Sequence, residues 1–100
     1  MPAYLIVILK VDGTDWRDEY VANVPSLVRR FGGEYLAMSG KIEQFEGEDR
    51  APDVIAILTF PSLVEMKNLM NSPEYAPYKE ARIAQSSATI LGFETVPINR

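Results

Sequence analysis

Residues 3–11 (AYLIVILKV) are apolar at almost every position, rich in β-branched and aromatic side chains, and end at an Asp12-Gly13 turn signal. A run apolar on both alternating faces predicts a central strand that is covered on both sides. Tyr4, Ile6, Ile8 and Lys10 fall on one face, and Leu5, Val7, Leu9 and Val11 on the other. The period then changes. Trp16, Tyr20, Val24, Leu27, Val28 and Phe31 recur at helical spacing and form one stripe, with Thr14 or Asp15 as cap and Asp18 and Glu19 in the first turn. Pro25 is expected to kink or split this helix, and Gly32-Gly33 to end it.

Residues 34–38 (EYLAM) and 42–46 (IEQFE) have strand character and are separated by Ser39-Gly40. One long strand bent at a bulge is the simplest reading, and a tight hairpin the alternative. A polar loop follows over 47–53, and a second central strand over 54–60 (VIAILTF). Ser62 and Glu65 have capping-box spacing at the start of a second helix, with Leu63, Met66, Leu69 and Met70 as its buried stripe. Ser72-Pro73 restarts a short helical segment towards Ala84 that carries Tyr75, Tyr78, Lys79 and Arg82. Residues 87–93 (SATILGF) make the last strand, and 96–100 a tail.

The order β-α-β-β-α-β predicts an α+β, ferredoxin-like fold: a four-stranded antiparallel sheet with its helices on one face, in a single domain. Two helices cover only one face of such a sheet, yet Ile55, Ile57 and Thr59 oppose Val54, Ala56, Leu58 and Phe60, so the second central strand is apolar on both. The uncovered face needs a partner, and a second copy in a two-fold dimer is the economical one.

Composition narrows the chemistry. The chain has 100 residues, no cysteine and no histidine, which excludes disulfides, thiolate or imidazole metal sites, and Ser-His-Asp or Cys-His catalysis. No cofactor and no metal are expected. The net charge is −4, with the acid concentrated in Glu43, Glu46, Glu48, Asp49 and Asp53 and no basic stripe, so neither a nucleic-acid nor a membrane surface is expected. The longest apolar run, 3–9, is far short of the ~20 residues of a membrane span and has no basic segment before it; a cytoplasmic protein is expected.

Several segments together resemble the DUF1330 family of small uncharacterised proteins: Ala3-Tyr4-Leu5-Ile6, Gly32-Gly33-Glu34-Tyr35-Leu36, Glu46-Gly47, Phe60-Pro61-Ser62, and Ser72-Pro73-Glu74-Tyr75 with Lys79 and Arg82. The resemblance spans nearly the whole chain, resting on the order and spacing of these segments. It implies a dimeric α+β barrel with face-to-face pairing, and no established reaction. The chain departs from the family pattern at Ile8, Met38, Thr59 and Glu48-Asp49, where polar, arginine, acidic and tryptophan residues are common. A cavity between sheet and partner lined by these positions would be unusually apolar here.

The expected ligand cavity lies between the two sheets of the dimer, lined by Tyr4, Ile6, Ile8, Met38, Ile55 and Ile57. Tyr4, Ile8, Lys10, Met38, Ile57 and Arg82 are the candidate ligand-binding residues; no catalytic residue is assigned. Lys10 stands where it can meet an anion or keep its ammonium in water at the strand end. Tyr75, Lys79 and Arg82, at i, i+4 and i+7, either converge on a carboxylate or pack and pair with Glu74, Glu80 or an acid of a partner chain. Trp16 is expected in the core or an interface. Glu43 and Glu46, three apart in a strand, would point to opposite faces and not act as a pair. The leading functional expectation is a protein that binds a small hydrophobic or aromatic acid. A cofactor-independent oxygenase or isomerase is the alternative, and a structural or regulatory interaction protein the third.

Overall fold

In the computed structural model, which describes residues 2–98, the chain runs β1 (Ala3–Val11), α1 (Arg17–Arg30), β2 (Glu34–Ser39), β3 (Val54–Phe60), α2 (Leu63–Met70), α3 (Ala76–Ala84) and β4 (Ser86–Glu94). The strands form one antiparallel sheet in the order β2-β3-β1-β4. The apolar runs expected to be central strands, β1 and β3, are the two inner ones. All three helices lie on one side. There Ala3, Leu5, Ala56, Leu58 and Phe60 of the sheet pack with Val24, Leu27 and Val28 of α1 and with Met66, Leu69 and Tyr75. The protein is only 17 Å deep against 41 and 37 Å across, which is the depth of one sheet and one helix layer.

The C-terminus of α1 has the expected glycine stop. Gly32 takes a positive φ of 87°, the Gly32 N–H donates to the Arg29 carbonyl and the Gly33 N–H to the Val28 carbonyl, which closes a Schellman motif. Gly33 is needed for space. A Cβ there would stand 2.6 Å from the Phe60 ring and 2.8 Å from a Val28 methyl, both in the core. Gly33→Ala is therefore expected to destabilise the fold by about 1–3 kcal/mol, measured as a lower urea midpoint at unchanged slope.

Several local expectations are corrected. Pro25 does not split α1, which is continuous from Arg17 to Arg30. Neither Thr14 nor Asp15 caps it: Trp16 holds the cap position without a side-chain bond, and the Asp15 carboxylate instead accepts from the Gln85 side chain. At α2 the Ser62 hydroxyl accepts from the Val64 N–H and bonds the Glu65 carboxylate, so the box is closed between its two side chains. Residues 73–75 form a turn, and α3 starts only at Ala76, with Pro77 in its first turn. The Ser72 hydroxyl still accepts from the Tyr75 N–H.

Residues 42–46 are not a strand. They lack a partner, and the Gln44 side chain donates to the Gly47 and Asp49 carbonyls, folding the segment into a loop. The bulge falls earlier, inside β2. Tyr35 pairs with Leu58 and Ala37 with Ile57, leaving Leu36 as the extra residue.

The loop rejoins the sheet at Asp53. Its N–H donates to the Leu9 carbonyl, and its carboxylate accepts from the Val11 N–H at 2.7 Å and from Arg50 at 3.2 Å. The Val11 N–H above all, then Arg50, holds the Asp53 carboxyl below its ordinary value. A depressed folded value means stability fully present above the unfolded value and lost as pH falls through the folded one. The stability gap between the unsubstituted chain and Asp53→Asn is thus expected to be widest near neutral pH and to shrink below about pH 4, tested by urea unfolding across that range.

Candidate functional site

Two features could hold a ligand, one on each side of the sheet. The open face carries Tyr4, Ile6, Ile8 and Lys10 from β1, Ile55, Ile57 and Thr59 from β3, and Thr89, Leu91 and Phe93 from β4, as the strand registers place them. Tyr4 and Phe93 touch across strands, ring centroids 5.8 Å apart. Ile57 sits at the centre, between Ile6 and Ala37. Lys10 stands at the end of the face, half-buried and opposite Ser87. This surface is shallow and uncovered.

A deeper space, open at its rim, lies on the other side. Between the helix face of the sheet and α1 lies a cavity of about 170 Å³. Its walls are aliphatic, from Leu5, Ala56, Leu58, Val24 and Val28 among others, and its polar groups are few: Arg82, Tyr75, Tyr20, Tyr35, Trp16, Arg17 and Thr14. Lining residues that are exposed, such as Val21, Tyr35, Met38 and Arg17, mark the rim.

Met38 is therefore not part of the open face, contrary to expectation. The extra residue at Leu36 shifts the register, so Met38 pairs with Ala56 of the core instead of Ile55. A one-residue shift in a strand exchanges its faces. Of the six candidate residues, the structure groups Tyr4, Ile8, Lys10 and Ile57 on the open face, and Arg82 and Met38 at the cavity.

Arg82 is the unusual group. It is only 4% exposed, yet its guanidinium makes no hydrogen bond or ion pair among the described residues, and its Nε is fully buried without a partner. Glu74, an expected partner for it, pairs with Arg30 instead. None of the fourteen acidic residues lines the cavity, although the chain as a whole is at −4. An isolated buried cation costs several kcal/mol, so such a group is retained where something compensates it. Local geometry explains the placement. Tyr75 and Arg82 are seven apart and face the same side across two turns, while the Ser86 hydroxyl and Gln85 N–H bond the Arg82 carbonyl and fix the end of α3. Lys79, the third member of the expected trio, is half-buried and does not line the cavity.

Three tyrosines line the same cavity, and Tyr20 stands near enough to feel the Arg82 charge. The Tyr20 and Tyr75 hydroxyls are 2.9 Å apart, linking α1 to α3, and their rings meet edge to face at 6.2 Å. Trp16 packs edge-on against Tyr20 at 5.3 Å and donates its indole N–H to the Gly13 carbonyl, so it stands in the wall with its polar atom already engaged. Burial, then the neighbouring Tyr75, pushes the Tyr20 hydroxyl well above the ordinary tyrosine value; the nearby Arg82 charge pulls in the opposite direction without prevailing. Burial likewise raises Tyr35. Both directions favour the protonated phenol. Tyr20 and Tyr35 were not singled out for binding from the sequence. The available signal was a hydroxyl-bearing side chain in the middle of the α1 stripe, four residues after Trp16.

A family model described as a domain of unknown function (DUF1330) matches residues 2–96. No curated protein matches the sequence. Among solved structures, a protein of unknown function from Rhodopseudomonas palustris is similar with a TM-score of 0.83 at 15% identity, covering 97% of this chain and 84% of that one. A dimeric ferredoxin-like protein of unknown function from Jannaschia sp. CCS1 follows at 0.71 and 15%, covering 95% and 100%. SnoaB, a cofactor-independent oxygenase from Streptomyces nogalater, is similar at 0.69 and 14%, covering 97% and 95%. At these identities the likeness is one of fold, which is the ferredoxin-like α+β type.

Proposed function

The chain belongs to the DUF1330 family, and we propose that it is a homodimer whose protomers each bind a small hydrophobic carboxylic acid on Arg82. The observation that carries the ligand reading is the buried guanidinium without a partner, at the wall of an otherwise aliphatic cavity that contains no acid. A carboxylate matches the guanidinium fork bidentately, and an apolar body matches the walls.

The dimer reading rests on the open face. Four strands about 4.8 Å apart and some 26 Å long present roughly 500 Å² per copy in projection. Two copies then cover about 1,000 Å² before side-chain relief, which reaches the size of a specific interface. The described centre of that face is aliphatic and aromatic, with Lys10 at one end and Glu34 at the other, paired with Thr59. Fold relatives are described as dimeric. In this reading Tyr4, Ile8 and Ile57 belong to the interface, and Lys10 to its margin.

Binding is favoured over proton-transfer catalysis. An isomerase, or an oxygenase acting on a substrate anion, needs a group that takes a proton near neutral pH. Among the cavity's side chains, Tyr20 and Tyr35 are pushed upward, away from neutral pH, and no histidine or carboxylate is present.

Thermal-shift measurements with pairs of carboxylic acids and their amides test the reading. Acids are expected to raise the melting temperature of the unsubstituted chain, amides much less, and neither should act on Arg82→Met. Equal stabilisation by acid and amide, or by acid in Arg82→Met, would contradict it.

A further inference from the structure

Resting on the acid-binding reading, we infer that the ligand is a carboxylate on a single aromatic ring, held by Arg82 together with the Tyr20–Tyr75 hydroxyl pair. Two independent observations lead there.

The first is volume. An apolar cavity of about 150 Å³ holds benzene, and drug-sized ligands occupy about 300 Å³ or more. The space here, about 170 Å³, suits one ring with its carboxylate at the guanidinium. It does not enlarge cheaply: Val24 and Val28 on one side are each 2% exposed, and Ala56 and Leu58 on the other 5% and 4%. These side chains are already packed, so a second fused ring directed away from the rim has to displace core groups.

The second is proton accounting. Two hydroxyls 2.9 Å apart share one hydrogen bond, in which one proton is used. The other proton has no acceptor among the described residues. It sits in the same cavity as Arg82, whose buried Nε–H also lacks an acceptor. An arginine with unspent donors beside a phenol pair with one unspent donor is a set that lacks only an acceptor. A carboxylate supplies that acceptor with two oxygens, one or both on the guanidinium and a remaining lone pair on the phenol. A neutral amide of the same shape brings no charge to the guanidinium, and its own N–H groups meet only hydroxyl lone pairs there. The raised Tyr20 value agrees with this role, because the phenol keeps its proton for donation.

Calorimetric titration of the full chain with benzoate, benzamide and 1-naphthoate tests this, alongside the double variant Tyr20→Phe/Tyr75→Phe. Benzoate is expected to bind at one site per chain, and at least about tenfold more tightly than 1-naphthoate, given the cost of overpacking. Loss of both hydroxyls should weaken benzoate about tenfold or more, as expected for a hydrogen bond to a charged group. Tyr20→Phe alone is the second variant if the double one fails to fold, and should then weaken benzoate in the same direction. Naphthoate binding as tightly as benzoate overturns the single-ring inference while leaving acid binding on Arg82 intact. Unchanged benzoate affinity in the phenylalanine variants overturns the role of the hydroxyls. Failure of every acid to bind overturns both this inference and the reading beneath it.

Discussion

Arg82→Met is expected to melt at a higher temperature than the unsubstituted chain and to lose acid binding altogether. Methionine keeps an unbranched stem of similar reach and so preserves most of the packing. It removes a guanidinium that the folded protein holds 96% out of water without a partner, as its 4% exposure and orphan Nε state. Replacing buried charges by well-packed apolar groups commonly stabilises by about 1–4 kcal/mol. In a domain of this size each kcal/mol is worth roughly 4–8 °C. A binding site kept at the expense of stability behaves in this way, because the favourable interaction is made only with the ligand. A lower melting temperature for Arg82→Met would mean that the guanidinium is compensated in the folded protein, and would remove the reason to assign it a ligand.

Ile57→Asp is expected to convert a dimer into a folded monomer. Ile57 lies at the centre of the open face, flanked by Ile6 and Ala37, and in the isolated chain it is only half-buried. An aspartate there is tolerated in a monomer, where water reaches it. Face to face with a second copy it becomes an unpaired buried charge, repeated by symmetry, at a cost of several kcal/mol. Light scattering after size exclusion should give twice the 11.2 kDa chain mass for the unsubstituted protein and the chain mass for the variant. An unsubstituted chain that runs as a stable monomer would contradict the assembly. In this account acid binding survives in Ile57→Asp, since the cavity lies on the opposite side of the sheet.

The fold was largely legible because it depends on pattern. β1 and β3 are apolar on both faces, which is sufficient to place them in the middle of the sheet and to leave one face in need of cover. The segment 42–46 misled because residue type suggested a strand, while the contacts that decide the matter, those of Gln44 with Gly47 and Asp49, are local and polar. Met38 was placed on the wrong face for a related reason. Strand periodicity assumes an unbroken register, and a single bulge at Leu36 reverses every side chain after it.

The site was legible only in part. Arg82 was a candidate from its spacing with Tyr75, but spacing cannot say that α3 carries the guanidinium inward to a place where no acid follows. Burial of a cation is a tertiary outcome that no local propensity encodes. The same holds for the cavity. A sheet face that lacks a partner draws attention in sequence, whereas a gap between α1 and the covered face arises from how the helix is seated. Tyr20 meets Tyr75 across 55 positions of sequence, and only the packing of α1 against α3 brings them together.

The central claim is that the covered side of the sheet, and not the open face, holds an acid on Arg82. A crystal structure of the full chain soaked with benzoate tests it most directly. The account predicts the ring between α1 and the sheet, with its carboxylate within hydrogen-bonding distance of the Arg82 guanidinium. Benzoate found instead on the open face, against Lys10 between two copies of the chain, would contradict it.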